Sequence, residues 1–200
     1  MNLKRLKQIK DNDKKVIVAK WIHAYCPRVD LSFIKDIVEY YWDNKFTVEQ
    51  NTEKYAALFD AIEPCYEEGL MLSEILDKMT IRQRMGLIKG YLKPYKGCKI
   101  QSPQFGDVII TQRGINETAY QADLSALSTL SAMRLREVIE TAVGDGVPNP
   151  PISHKQIYDF EFIDVYILFT DLEDIGEVKL VIGQKDNGLY LQYSCTSTTF

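Results

Sequence analysis

The residues best suited to chemistry by type and spacing are the basic ones between Lys78 and Lys99. That segment contains seven Lys or Arg residues and no Asp or Glu. At helical periodicity Arg82, Lys89 and Lys93 share one face of the helix predicted there. Cations in such a row can follow a phosphate backbone, because each neutralised phosphate releases counterions. The segment is therefore a candidate nucleic-acid-binding surface. The alternatives are a solvated helix face and a face docked on an acidic surface of the same chain.

The second half of the chain has the opposite charge. Residues 1–99 contain 18 Lys or Arg and 14 Asp or Glu, whereas residues 100–200 contain 6 and 14. The whole chain has a formal net charge of -4. This asymmetry predicts two surfaces with different partners, or two halves that attract each other. The candidate residues for binding a basic protein partner are Asp159, Glu161, Asp164, Asp171, Glu173, Asp174 and Glu177.

Several specific catalytic signatures are missing from the sequence. It has no Gly-x-Gly-x-x-Gly, no P-loop, no Gly-x-Ser-x-Gly and no His-Glu-x-x-His. The four cysteines lie far apart, and only two histidines could assist them in holding zinc. We therefore expect four reduced thiols, no metal site and no cofactor. Dinucleotide, P-loop, serine-hydrolase and zincin chemistry are all disfavoured.

The composition, with 46% hydrophobic and 26% charged residues, is typical of a soluble globular protein. No apolar run approaches the roughly 20 residues of a membrane span. The basic N-terminus lacks the apolar core of a signal peptide. We therefore expect a cytoplasmic location and no membrane partner.

Apolar side chains recur at helical spacing across residues 17–92, and this pattern predicts five helices. The expected helix starts and ends are at Pro27, Asp30, Pro64, Ser73, Thr80 and Pro94. We predict a helical domain over residues 1–94 that forms a small bundle.

The sequence pattern of residues 95–200 predicts a second domain, which contains strands as well as a helix. A short strand over Asp107–Gln112 precedes a long helix over Asp123–Val143. Three strands joined by short polar breaks, as in an antiparallel meander, follow over residues 157–170, 178–183 and 189–193. The alternation changes phase between Phe162 and Ile163, which indicates a β-bulge or a strand buried on both faces. The predicted fold class is α+β, an N-terminal helical bundle followed by a long helix packed on an antiparallel β-meander.

The order of three segments in the second half of the chain resembles that in a known family. These segments are residues 109–118, the leucine-rich helix ending at 135–142 and the meander at 178–193. It looks like the α+β modules of phage and conjugative-element large polyvalent proteins. Their fold is similar to that of barnase, EndoU, colicin and RelE-type ribonucleases. The resemblance covers roughly residues 97–193. It implies a helix on an antiparallel sheet and an origin in a virus or mobile element, with a host-cytoplasm location if phage-encoded.

The resemblance also suggests site residues. RNA cleavage without a metal needs a base for the 2'-hydroxyl proton, an acid for the leaving oxygen and a cation on the phosphate. Glu117 and His154 are the candidate base and acid. Arg113 and Lys155 are the candidate phosphate clamps, and Tyr193 is a candidate positioning hydroxyl.

Two functions therefore remain open. The first is a non-catalytic interaction or inhibitor-type protein of phage or mobile-element origin, whose acidic C-terminal surface binds a basic protein partner. The alternative is a metal-independent ribonuclease or toxin, with RNA bound through residues 78–99. The charge asymmetry and the lack of the family's histidine in residues 116–122 favour the first function, and the resemblance favours the second. A structural virion or transfer-apparatus component is indistinguishable from the first by sequence, and the oligomeric state is left open.

Overall fold

The computed structural model describes residues 11–199. The chain divides into two compact units, residues 1–79 and residues 80–200. This division lies earlier than the boundary predicted at residue 94, because the helix that precedes that boundary packs on helices of the second unit. Residues 1–10, on which the expectation of no signal peptide rests, lie outside the described part of the chain.

The first unit is helical. Its helices are α1 (Asp11–Tyr25), α2 (Leu31–Tyr40), α3 (Val48–Ile62) and α4 (Leu72–Lys78). Helix α3 begins at a capping box, in which Thr47 and Gln50 each accept a hydrogen bond from the other's backbone N–H. The predicted cap Asp30 precedes α2 without bonding its backbone, and its carboxylate accepts from the Tyr66 hydroxyl at 2.9 Å. The core of this unit includes Val18, Ile22, Ile34, Val38, Leu58, Phe59 and Ile62.

The second unit contains both helices and strands. Its helices are α5 (Ile81–Leu92), α6 (Gln112–Ala122), α7 (Ala126–Met133) and α8 (Leu135–Thr141). Its strands are β1 (Lys99–Ser102), β2 (Gly106–Ile109), β3 (Phe162–Leu172), β4 (Gly176–Lys185) and β5 (Tyr190–Ser197). A short π-helical turn, Lys155–Asp159, precedes β3. The fold class is α+β, as predicted.

The five strands form one sheet in the order β1-β2-β5-β4-β3. The predicted antiparallel meander is confirmed, because β3 pairs with β4 and β4 pairs with β5 in antiparallel fashion. Strand β1 was not predicted, and β2 pairs with β5 in parallel. Sequence patterns did not indicate this parallel pair, since the two strands are separated by α6, α7, α8 and two further strands. The parallel pair places the residues that follow β2 beside the middle of the sheet.

The prediction of one long helix over Asp123–Val143 is wrong, because two helices, α7 and α8, occupy this segment with a turn at Arg134 between them. The Ser125 side chain accepts a hydrogen bond from Ser128 N and starts α7 afresh. The carbonyls just before it accept from the Arg84 guanidinium of α5, Asp123 O at 2.8 Å and Leu124 O at 3.4 Å. Leu124, an inward position of the predicted helix, is consequently 69% exposed.

The helices of the second unit are arranged against the sheet and against one another. Helices α6 and α7 pack on β5, α8 packs on β1 and β4, and α5 packs on α6 and α7. Within the part of the chain that the structure describes, no helix is both long enough and apolar enough to cross a membrane.

Two β-bulges interrupt the meander. The register of β3 against β4 shifts between Phe162 and Asp164, which makes Ile163 the extra residue and confirms the bulge predicted there. In β5, Ser194 faces Val181 while Gln192 faces Ile182, so Tyr193 is an extra residue as well. A bulge changes the direction in which the side chains beside it point.

Candidate functional site

Helix α6 presents two of the predicted site residues on one face. Strand β2 ends at Ile109, earlier than the predicted strand end at Gln112, because the Thr111 side chain accepts a hydrogen bond from Gly114 N at 3.0 Å and caps α6. Arg113 and Glu117 are four residues apart in this helix, so their side chains lie one above the other. Both line a surface depression of about 460 Å³.

This depression contains more positive than negative side chains. Lys89 of α5, Arg113 of α6 and Lys155 of the π-helical turn all line it. The acidic residues lining it are Glu117 and Asp159. We call it the cationic depression. Its charge suits an anionic ligand, since cations around a concave surface raise the local concentration of anions.

Glu117 and Lys155 form an ion pair at the floor of the cationic depression. Lys155 Nζ lies 2.8 Å from Glu117 Oε2, and Gln121 Nε2 donates to the other carboxylate oxygen at 2.8 Å. The Glu117 side chain is only 9% exposed, whereas the Lys155 side chain is 49% exposed. The hydrogen bond to Glu117 raises the pKa of Lys155 above its ordinary value. The ammonium therefore stays charged and remains open to a ligand. It also lies 4.7 Å from the centroid of the Tyr120 ring.

Arg113 is positioned by the turn that contains Lys155. Its guanidinium donates to the backbone carbonyl of Asp159, at the end of that turn. This bond satisfies one of the five N–H donors of the guanidinium. The hydrogen bond from Lys185 is the main cause that lowers the pKa of Glu161, and the charge of Arg113 makes a smaller contribution in the same direction.

Tyr193 approaches the same group of residues from the sheet. As the extra residue of the β5 bulge, it packs in an aromatic cluster with Phe160 and Phe162, at ring-centroid distances of 4.9 and 6.0 Å. Burial raises the pKa of the Tyr193 phenol, Ser153 lowers it, and Glu117 raises it. The net pKa is above the ordinary value, so the hydroxyl stays protonated and can act as a hydrogen-bond donor.

His154, the expected acid, does not line the cationic depression. Its side chain is exposed, and its ring lies 4.6 Å from the ring of Tyr158. The neighbouring residue Lys155 faces the depression instead. The structure thus brings Arg113, Glu117, Lys155 and Tyr193 together and leaves His154 apart.

The basic residues of α5 have different environments. Lys89 lines the cationic depression, while Arg82 and Lys93 are exposed outside it. Arg84 is only 7% exposed, and its guanidinium holds the turn between α6 and α7. One of the seven basic residues of this segment is therefore a structural anchor rather than part of a solvated face.

Tyr120 and Asn116 also line the cationic depression and were not predicted. They lie at helical spacing from Arg113, on the same face of α6. Helical spacing from Arg113 is a signal that could have identified them, but no helix was predicted over residues 113–122.

The seven candidate acidic residues fall into two groups. Asp159, Glu161 and Asp164 lie at the start of β3, and the other four lie at the hairpin that joins β3 to β4. The nearest members of the two groups, Asp164 and Asp171, are both in β3 and lie roughly 23 Å apart along the strand. They therefore do not form one continuous face.

Among the described residues, no group of three or more His, Cys, Asp or Glu side chains could hold a metal ion. The four cysteines are not joined in disulfides, and Cys26 and Cys195 are buried.

Comparison with protein-family models, curated proteins and solved structures gave no significant match.

Proposed function

We propose that the second unit binds and cleaves RNA at the cationic depression without a metal ion. The observation that carries this proposal is the convergence of Arg113, Glu117 and Lys155 on one depression, with the Tyr193 hydroxyl beside them. These are a carboxylate and two fixed cations, which are the groups that phosphodiester cleavage requires.

Four side chains have a definite role in the proposed reaction. Glu117 takes the proton from the 2'-hydroxyl, whose oxygen then attacks the neighbouring phosphorus. The bond from phosphorus to the 5'-oxygen breaks, and Lys155 protonates that oxygen. An alkoxide is far more basic than an amine, so an ammonium with a raised pKa can still protonate it. Arg113 and Lys89 stabilise the charge that builds up on the phosphate oxygens.

The test is incubation of a mixed RNA pool with the purified protein in EDTA. We expect cleavage by the wild type and a rate lower by about 100-fold or more for Glu117→Gln. A DNA strand of the same sequence should bind without being cut, because it lacks the 2'-hydroxyl. The matched control is His154→Ala, which should cleave like the wild type because His154 lies outside the depression. Equal activity of Glu117→Gln and wild type would contradict the assigned base.

A second candidate function is the non-catalytic one, binding of a basic protein partner by an acidic hairpin tip. We define this tip by Asp171, Glu173, Asp174 and Glu177. The observation in its favour is that Asp171 and Glu177 face each other directly across the β3–β4 pair, and both are exposed. Like charges in that arrangement destabilise a hairpin. A basic partner would relieve the repulsion. An origin in a phage or mobile element is part of this proposal and rests on the family resemblance.

The second candidate can be tested by charge reversal at the tip. A variant with Asp171→Lys and Glu173→Lys should no longer bind a basic protein that the wild type captures. The control Asp186→Lys, in the other hairpin turn, should still bind it. All three positions are exposed turn or strand-end sites, so neither variant should unfold. Capture that is unchanged by reversal at the tip would refute this candidate.

A further inference from the structure

A second depression adjoins the cationic one. It has a volume of about 500 Å³, which lies within the range of small-molecule sites. Met85 of α5 and Tyr120 of α6 line both depressions, so the two share a boundary. The second depression extends away from the cations towards the turn between α6 and α7 and the end of β5. We call it the apolar groove.

Several of the side chains that line the apolar groove are of types that are usually buried in a folded protein. Ile81, Tyr120 and Leu124 are 52%, 60% and 69% exposed. All three line the groove together with Met85. A contiguous set of exposed apolar side chains next to a charged depression indicates a binding surface. The backbone of Leu124 is held by a hydrogen bond from the Arg84 guanidinium to its carbonyl.

The groove is not uniformly apolar. Five hydroxyl side chains also line it, and we call them the hydroxyl rim: Ser125, Ser128, Thr196, Ser197 and Thr199. An acyl chain would gain nothing from this row of hydroxyls. A nucleobase has apolar faces and a hydrogen-bonding edge, and it matches a groove with an apolar wall and a hydroxyl rim.

The position of Tyr120 connects the two depressions. Its ring is largely exposed at their junction, and the Lys155 ammonium lies 4.7 Å from its centroid. In a nucleotide the phosphate and the base are joined through one sugar. A phosphate held by Lys155 and Arg113 would therefore place an attached base beside Tyr120 and the apolar groove.

We propose that the apolar groove binds a nucleobase of the RNA strand whose phosphate occupies the cationic depression. The base stacks on Tyr120 and packs against Leu124 and Ile81, and its polar edge faces the hydroxyl rim. This inference rests on the proposed RNA function and adds base recognition to it. Stacking of this kind accepts any base, so the hydroxyl rim and Gln121, which also lines the groove, are the groups that would discriminate.

The experiment compares two short fluorescent 2'-O-methyl oligonucleotides, which lack the nucleophile and cannot be cleaved. One contains bases and the other contains abasic sugars on the same phosphate backbone. At low salt we expect the wild type to bind the base-containing strand about tenfold more tightly than the abasic one. Leu124→Ser and Ile81→Ser should remove that difference and leave abasic binding unchanged. Both side chains are exposed, so the variants should fold.

The matched control is Leu189→Ser. Leu189 is also exposed, at 44%, and precedes β5 at the end opposite to the groove. This variant should bind both strands like the wild type. Lys89→Met should weaken binding of both strands alike, because it removes a cation without touching the groove.

The outcomes separate the two proposals. Equal wild-type affinity for the two strands would overturn base binding in the groove and leave phosphate binding intact. No binding of either strand would refute RNA binding itself and the groove inference with it. Binding of anionic phospholipid vesicles that is lost in Leu124→Ser, with no change in oligonucleotide affinity, would assign the groove to lipid and overturn the inference.

Discussion

Lys155 places its ammonium 2.8 Å from the carboxylate of Glu117, 38 residues earlier in the chain. This ion pair joins α6 to the π-helical turn before β3. The carboxylate is almost fully buried, and half of the lysine side chain remains exposed. The pair thus holds a cation at the surface by means of a buried anion, which is the central feature of the cationic depression.

The ion pair predicts a particular dependence of stability on pH. The pKa of Lys155 is raised in the folded protein above its ordinary 10.5, so the charged form is favoured by folding. Its contribution to the free energy of unfolding is complete below pH 10.5 and is lost as the pH rises through the raised value. We expect Glu117→Gln to be less stable than wild type by about 0.5–1 kcal/mol near neutral pH, because the lysine is half exposed. Urea unfolding of both proteins across the alkaline range should show this difference shrinking towards zero. A difference that grows with pH would contradict the pairing.

The close approach of α6 to β5 predicts that Gly114 cannot be enlarged. A Cβ atom at this position would lie 2.4 Å from the backbone oxygen of Gln192 and 2.7 Å from its side-chain oxygen. We expect Gly114→Ala to lower the free energy of unfolding by about 2 kcal/mol. The same substitution would shift Arg113 and Glu117 and so weaken RNA cleavage.

Gly86 provides a matched control for that substitution. It lies in the interior of α5, and a Cβ atom there would meet nothing within 4 Å. Gly86→Ala should stabilise the protein by about 0.5–1 kcal/mol, because alanine has the higher helix propensity. Thermal unfolding that ranks Gly114→Ala as the more stable variant would refute the packing of α6 on β5.

The buried position of Arg84 predicts that it matters for stability rather than for ligand binding. Arg84→Met would leave the carbonyls of Asp123 and Leu124 without this donor, at a cost of about 2 kcal/mol or more. Arg82→Met, two residues away and exposed, should change stability by less than about 0.5 kcal/mol. Denaturant titration of the two variants is the measurement. Equal stabilities would contradict the anchoring role of Arg84.

The four thiols should differ in reactivity. Burial raises the pKa of Cys195 to about 12, and its Sγ lies 3.7 Å from the Ser131 carbonyl. The thiolate is the reactive form, so Cys195 should resist alkylation in the folded protein at about pH 8. Burial also raises the pKa of Cys26, whereas Cys65 is partly exposed and should react sooner. Mass spectrometry of iodoacetamide adducts over time would check the order. Early modification of Cys195 would indicate that α7 opens from β5.

Local sequence patterns predicted much of the secondary structure. Apolar periodicity indicated the five helices up to Leu92, and the capping box at Thr80 starts α5 where expected. Polar breaks between apolar runs indicated the three strands of the meander, and the change of phase at Ile163 indicated its bulge. These features depend on neighbours close in sequence, so a sequence can reveal them.

The prediction of one long helix over Asp123–Val143 was wrong for a reason that lies outside the sequence of that segment. Apolar residues recur at helical spacing across the predicted segment, but the structure breaks it at Arg134. Helix α7, before this residue, packs on β5, whereas α8, after it, packs on β1 and β4. Contacts with strands that are distant in the sequence cannot be inferred from the helical pattern of the segment.

The candidate site was predicted in part. Arg113, Glu117, Lys155 and Tyr193 had been selected by residue type and by family resemblance, and the structure places them together. His154 was predicted as the acid, but its ring lies beside that of Tyr158 and does not line the depression. The separation of the acidic residues into two groups follows from the length of β3, which a count of charges does not include.

The sequence by itself determined the helices up to Leu92 and the three strands of the meander, as well as which chemical groups exist and which metal or nucleotide motifs are absent. Only the tertiary structure decided that β2 lies parallel to β5, and therefore that α6 crosses β5 with Glu117 near Tyr193. It also decided that Lys89 of α5 and Lys155 of a distant turn join Arg113 around one depression. The physical reason is that periodicity and capping act over a few residues, whereas a site is made by contacts between segments far apart in the chain.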